Sequence, residues 1–152
     1  MNSISAGVYI PETNEVFFTS NLMRRASESG SGFEYFIHFS KVSLTPGADG
    51  RHHWERLKMP PRSLVLPNGG TSYDGKVLMV SQGYQLATPS SIVAVDPKTL
   101  ETEVMLNNFH GRPFNSMNDI VVLMRTDKEE TKVENQWIFF TGDCLAYRCL
   151  AF

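Results

Sequence analysis

The chain of 152 residues has only two cysteines, Cys144 and Cys149, both close to its C-terminus. Two such thiols make no disulfide framework, and no Cys or His pair lies beside them at zinc-ligand spacing. There is no excess of positive charge: the net charge is -2 and the pI is near 6.1. That removes the electrostatic case for nucleic acid or for an anionic membrane surface. No apolar run approaches the ~20 residues that span a bilayer. The N-terminus lacks a basic patch followed by an apolar stretch, so no secretory leader is expected, and the default expectation is a cytoplasmic protein. No segment sustains helical spacing of apolar residues. A G-x-S-x-G elbow is missing, which gives no support to an α/β-hydrolase nucleophile. Gly69-Gly70 is too little to make a phosphate-binding loop. Paired carboxylates at fixed spacing are not visible either.

What the chain does have is an apolar content of 41%, enough for a packed core and too much for a disordered chain. It also repeats one strand. Val16-Phe17-Phe18-Thr19-Ser20, Val77-Leu78-Met79-Val80-Ser81 and Ile138-Phe139-Phe140-Thr141-Gly142 start 61 residues apart each time. A constant period in an apolar strand marks a repeat architecture. Each copy is short and apolar, so it is expected to be an inner strand with both faces buried against neighbouring sheets. A period longer than one hairpin suits a blade of several antiparallel strands. The expected class is therefore all-β, a β-propeller of which this chain carries about two and a half blades.

Strands are expected at Glu15 to Ser20, Phe33 to Leu44, Trp54 to Lys58, Lys76 to Ser81, Ser91 to Asp96, Glu101 to Leu106, Ile120 to Met124 and Trp137 to Thr141, from their β-branched and aromatic content. Pro11-Glu12-Thr13-Asn14 and Pro97-Lys98-Thr99-Leu100 read as turns. Tyr73-Asp74-Gly75-Lys76 reads as a tight hairpin, because Asp-Gly tolerates positive φ. Arg24 to Gly32 reads as a flexible loop and Arg125 to Asn135 as a charged one. Leu145 to Phe152 continues no strand periodicity.

Each unit opens with polar residues just before the repeated strand. In a propeller whose channel is lined by that strand, they sit at the mouth of the channel. Asn68, Asn115, Asn118 and Asp119 are placed there. Their side chains offer the hard oxygens that calcium coordinates, and a divalent ion there would polarise an ester carbonyl or activate water. The same residue types are ordinary turn formers, and spacing alone leaves both readings open. His110 and Arg112 share the loop with Asn115, and a surface histidine is the plainer reading of His110. His38 reads as a packed or edge residue, and His52 and His53 as solvent-facing.

The segment Gly7-Val8-Tyr9-Ile10-Pro11-Glu12-Thr13-Asn14-Glu15-Val16-Phe17-Phe18-Thr19-Ser20-Asn21 resembles the first-blade signature of fungal lactonase-like members of the gluconolactonase and regucalcin (senescence marker protein) family. Pro67-Asn68-Gly69-Gly70-Thr71 is similar to the second-blade opening. Asn107-Asn108-Phe109-His110-Gly111-Arg112, with Asn115-Ser116-Met117-Asn118-Asp119-Ile120, resembles the third, and Trp137-Ile138-Phe139-Phe140-Thr141 the strand after it. The resemblance covers residues 6–143. It implies a six-bladed propeller with a calcium-type metal in its channel, hydrolysing a sugar lactone or similar cyclic ester. It further implies Asn68, Asn118 and Asp119 as metal-side residues, and Arg112, Asn115 and Asn118 as substrate-side residues. Where the family places a metal-ligating Glu, just before Ala6, this chain has Ser5. Residues 144–152 read as an unrelated tail, so the ligands that the family draws from later blades are expected to be missing.

Two functions of different class follow. One is a metal-dependent lactonase-type hydrolase, impaired in this chain by the incomplete site. The other is a non-catalytic propeller fragment acting as a binding or assembly module. A small-molecule lactone is the expected partner in the first. Self-association through exposed blade edges is expected for an unclosed ring. A self-contained β-sandwich is disfavoured by the constant period.

Overall fold

A computed structural model describes residues 4–27, 30, 32–60, 63–84, 88–126 and 133–142. Among them there is no helix, and every regular element is a strand. β1 (Ile4–Ile10) and β2 (Glu15–Ser20) form a hairpin, followed by a separate short one from β3 (Met23–Ala26) and β4 (Phe33–Phe36). β5 (Phe39–Ser43) returns to pair with β2, and β6 (Trp54–Arg56) completes a four-stranded antiparallel sheet in the order β1-β2-β5-β6. β7 (Pro67–Tyr73), β8 (Lys76–Ser81), β9 (Ser91–Val95) and β10 (Thr102–Leu106) make the second such sheet, in sequence order. A small hairpin of β11 (Asn108–Phe109) and β12 (Arg112–Pro113) leads to the pair of β13 (Met117–Thr126) and β14 (Val133–Gly142).

The turns form where the sequence allows unusual backbone. Between β7 and β8, Asp74 and Gly75 have φ of 50° and 69°, the left-handed pair that a two-residue hairpin loop needs. Asn14, at φ 53°, closes the β1–β2 turn, and its amide N–H donates to the Pro11 carbonyl at 3.2 Å. Asn pays little for that conformation.

Three of the five sheets, the two four-stranded ones and the β13–β14 pair (sheets one, two and three), stack through their first strands: β7 packs against both β1 and β13. One core lies between the first two sheets, built on Val8, Ile10, Phe17 and Phe39 from one side and Val77, Met79, Val93 and Val95 from the other. A second lies between sheets two and three, where Leu78, Val80, Ile92 and Ala94 meet Met117 and Ile120. β8 and β9 feed both cores, which is why they read as continuous apolar runs rather than alternating ones.

The repeated strand departs from expectation in two ways. It is the second strand of each sheet, not the innermost. The strand before it, β1, β7 or β13, is the one that faces its counterparts in the neighbouring sheets. Only the second copy buries both faces. The first alternates, with Phe17 and Thr19 inward, and the third is exposed along its length. Identical sequence character meets different surroundings, because among the described residues only the middle sheet is flanked on both sides.

Local boundaries also move. The expected strand from Phe33 to Leu44 is broken at Ile37-His38 into β4 and β5, which belong to different sheets. Part of the expected loop from Arg24 is strand β3, because Arg25 pairs across to Glu34 at 3.0 Å. The charged loop after Arg125 is shortened by the lengths of β13 and β14, which run to Thr126 and from Val133. The tail 144–152 lies outside the described residues.

Candidate functional site

Each first strand breaks register with the second at one equivalent place. β1 slips between Ile4 and Ala6, β7 between Pro67 and Gly70, and β13 between Met117 and Ile120. The last residues before the slips pair with Ser20, Ser81 and Gly142, the ends of the three repeated strands. A bulge inserts an unpaired residue and re-aims side chains, and bulges gather next to functional sites. The bulged residues are Ser5, then Asn68-Gly69, then Asn118-Asp119. These polar residues therefore sit within the first strands, not in loops ahead of the repeated ones.

The bulges converge. Asn68 Nδ2 donates to Asn118 Oδ1, joining β7 to β13 through two half-buried amides. Buried Thr19 on β2 donates its hydroxyl to the Asn68 carbonyl at 3.2 Å, tying in the first sheet. Gly69 permits the approach. A Cβ there would overlap the Asp119 carboxylate and stand 2.6 Å from Asp119 Cα and 2.8 Å from the Asn118 carbonyl oxygen. Only a residue without a side chain lets two backbones come this close. Asp119 is exposed, its N–H donates to Thr141 Oγ1 at 3.2 Å, and its Oδ1 accepts from the Ile120 N–H at 2.8 Å.

The connections 21–38, 57–66, 82–90 and 107–116 all join strand ends on this side; the short turns 11–14 and 74–75 lie at the opposite end, together with the ten-residue connection 44–53. Variable connections on a rigid scaffold are where binding residues gather. Buried Ser90 fixes one of them: its hydroxyl donates to the Ser81 carbonyl at 2.9 Å and accepts from the Met117 N–H at 2.8 Å. Arg112 and Asn115 are exposed in the 107–116 connection, on and after the β11–β12 hairpin, and are not part of the amide pair. His110 is exposed and turns that hairpin at φ 50°, its ring edge-on to Phe109 at 4.4 Å. His38 is not in a strand but half-buried between β4 and β5. Burial first, and the Arg56 charge second, push its pKa below the usual value. His52 and His53 are exposed, as expected, and His53 Nε2 lies 3.0 Å from Asp49 Oδ1.

Thr19, Gly69, Thr141 and Ser90 form the site without belonging to any catalytic or ligand motif that the sequence displays. The signal for two of them was present, since Thr19 and Thr141 occupy the same place in the repeat, each just before the residue paired across the bulge.

The described donors do not by themselves fit a calcium ion, which takes about six to eight oxygens. Asn118 Oδ1 is engaged by Asn68, Asp119 Oδ1 is engaged by its own strand, and no group of three His, Cys, Asp or Glu side chains converges among the described residues. Ser5 lies on β1 at the matching bulge, with its side chain outside the described set.

Against this geometry the known proteins can be set. The lactonohydrolase oryH of Aspergillus oryzae is 31% identical over 118 residues, a match covering 74% of this chain and 22% of that protein. The chain thus spans about a fifth of the length of the curated relative it matches. No protein-family model matches the sequence. No solved structure matches it either. The similarity supports a lactonase-like relationship for this all-β chain.

Proposed function

We propose that the three sheets are propeller blades and that the bulge end serves a lactonase-type hydrolase acting on a lactone or similar cyclic ester. The observation that carries this reading is the convergence of the bulges on the Asn68–Asn118 pair. The lactonohydrolase similarity supports the reaction class. Asn118 Oδ1 accepts from Asn68 Nδ2, which fixes the orientation of the Asn118 amide, and its Nδ2 would be the donor for substrate. A fixed amide donor at an ester carbonyl stabilises the oxygen as negative charge builds on it. Arg112 and Asn115 on the adjoining connection would hold the substrate's hydroxyls. A calcium-type ion would supply Lewis-acid polarisation in such a site. The described residues do not complete its shell, so no step is assigned to it.

A second reading, a non-catalytic binding or assembly module, is favoured by one observation: among the described residues the bulges present one carboxylate and no histidine. Lactone hydrolysis followed by proton release, with parallel calorimetric titration of the lactone, separates the two. Turnover abolished in Asn118→Ala supports the hydrolase. Lactone binding without turnover, weakened in Asn118→Ala, supports the module. Neither binding nor turnover overturns the assignment of this end of the sheets.

A further inference from the structure

Among the described residues, one face of the first sheet and one face of the third have no sheet packed on them. On the third sheet, Val121 pairs with Phe139 and Leu123 with Trp137, so the four share a face. They are 46%, 54%, 52% and 45% exposed. Phe139 stands two periods after Phe17 and one after Leu78, and both of those are 0% exposed in the two cores. The face of sheet three that carries Phe139 is therefore the equivalent of the faces by which sheet one receives sheet two and sheet two receives sheet three.

The first sheet carries the complementary face. Tyr9 pairs with Val16, Val16 with Val42, and Val42 with Trp54, a row of apolar side chains across all four strands. It lies on the side away from the Phe17 core, and Tyr9 and Trp54 are 46% and 63% exposed. Val77, one period after Val16, is 0% exposed because its face is packed on the preceding sheet.

We propose that a second copy of this chain covers these faces, head to tail. The Tyr9–Val16–Val42–Trp54 row of one copy seats on the Phe139 face of another, reusing the sheet-on-sheet contact made twice within each chain. The occupant is a second copy because the same chain carries both halves of a contact it already makes internally. Contiguous exposed apolar side chains mark interaction surfaces, and both faces carry them. The contact is heterologous, joining two different patches, so it closes as a ring or extends as an open row. It is independent of any lactonase activity.

The test uses the full chain in analytical ultracentrifugation, with Trp54→Glu blocking one face and Trp137→Glu the other. Both sites are exposed, so folding is expected to survive, and circular dichroism checks it. Tyr9→Ser and Phe139→Ser serve the same purpose should a charged variant unfold. The wild type should associate as concentration rises, and each variant alone should associate at least about tenfold more weakly. Mixed, the two variants should form a one-to-one pair, because the intact face of each meets the intact face of the other. A wild type that stays monomeric, a variant that self-associates undiminished, or a mixture that does not pair would each overturn the proposal. Undiminished association in both variants would point instead to pairing through the edge of β14 that no described strand covers.

Discussion

Asn68 and Asn118, separated by 50 positions in sequence, are joined side chain to side chain across two sheets. The bond is local in space and remote in sequence, so it reports directly on how sheets two and three meet. Removing either partner should cost about 1 kcal/mol, the usual worth of a part-buried hydrogen bond. The double variant Asn68→Ala/Asn118→Ala should cost clearly less than the sum of the singles. Urea melts of the four proteins measure the coupling.

Gly69→Ala should be more damaging than either amide substitution. The new methyl would meet the backbone of Asp119 and Asn118, which cannot rotate away as a side chain would. Overpacking of this kind costs about 1–3 kcal/mol. Gly111→Ala is the comparison, since nothing lies near its missing Cβ and its φ of +79° is the only obstacle. A Gly69→Ala protein as stable as the wild type would show that the two bulges do not meet as closely as described.

The equivalent positions Phe17, Leu78 and Phe139 should respond very differently to truncation. Phe17→Ala should lose about 3–5 kcal/mol, because its ring is fully enclosed and a cavity would remain. Phe139→Ala should change monomer stability by no more than about 0.5 kcal/mol, because that ring is exposed. Dilute samples keep the second measurement free of association.

Stability should fall as pH drops from neutral into the range of an ordinary histidine. His38 has its pKa lowered from 6.5, by burial first and by Arg56 second. The unfolded chain therefore takes up that proton more readily than the folded one. The stability tied to neutral His38 is complete above the unfolded pKa and is lost as pH falls through it towards the folded value. Asp49 and Asp96, whose pKa values are lowered chiefly by backbone N–H donors, add a further loss only in the more acidic carboxylate range. Denaturation series at neutral and mildly acidic pH should show a slope that His38→Gln flattens.

Calcium should bind weakly. Two neutral amides bonded to each other and one carboxylate held by its own strand balance little of the ion's charge. A calorimetric titration should find an affinity no tighter than about 10⁻⁴–10⁻³ M, the weak end of natural calcium sites. Submicromolar binding lost in Asp119→Asn would show that donors outside the described residues complete the shell.

The period of 61 residues made the three stacked units and the all-β class legible, because each copy of the repeated strand lies in a sheet of its own; the small β3–β4 and β11–β12 sheets leave no trace in that period. Asn68, Asn118 and Asp119 could be grouped for the same reason. The rank of the repeated strand within its sheet could not be read. Gly70 and Gly7 in the true first strands give little apolar signal, whereas Val77 and Phe17 give much. Nor could the sequence distinguish Phe17 from Phe139, since burial there depends on what lies beyond the sheet. The strand from Phe33 to Leu44 was misjudged because aromatic content persists across the break at Ile37-His38, where the chain leaves one sheet for another.

The middle position of the second sheet sets an order in which the protein comes apart. Amide protons on β8 and β9 are shielded from both sides, so their exchange with solvent deuterium should need global opening. Those of β14, which among the described residues is paired on one edge and exposed on one face, should exchange through local fraying. Denaturation would then run inward from the third sheet, as successive openings of rising cost rather than one concerted event. Concentrating the protein should slow exchange in β14 if another copy sits on its exposed face.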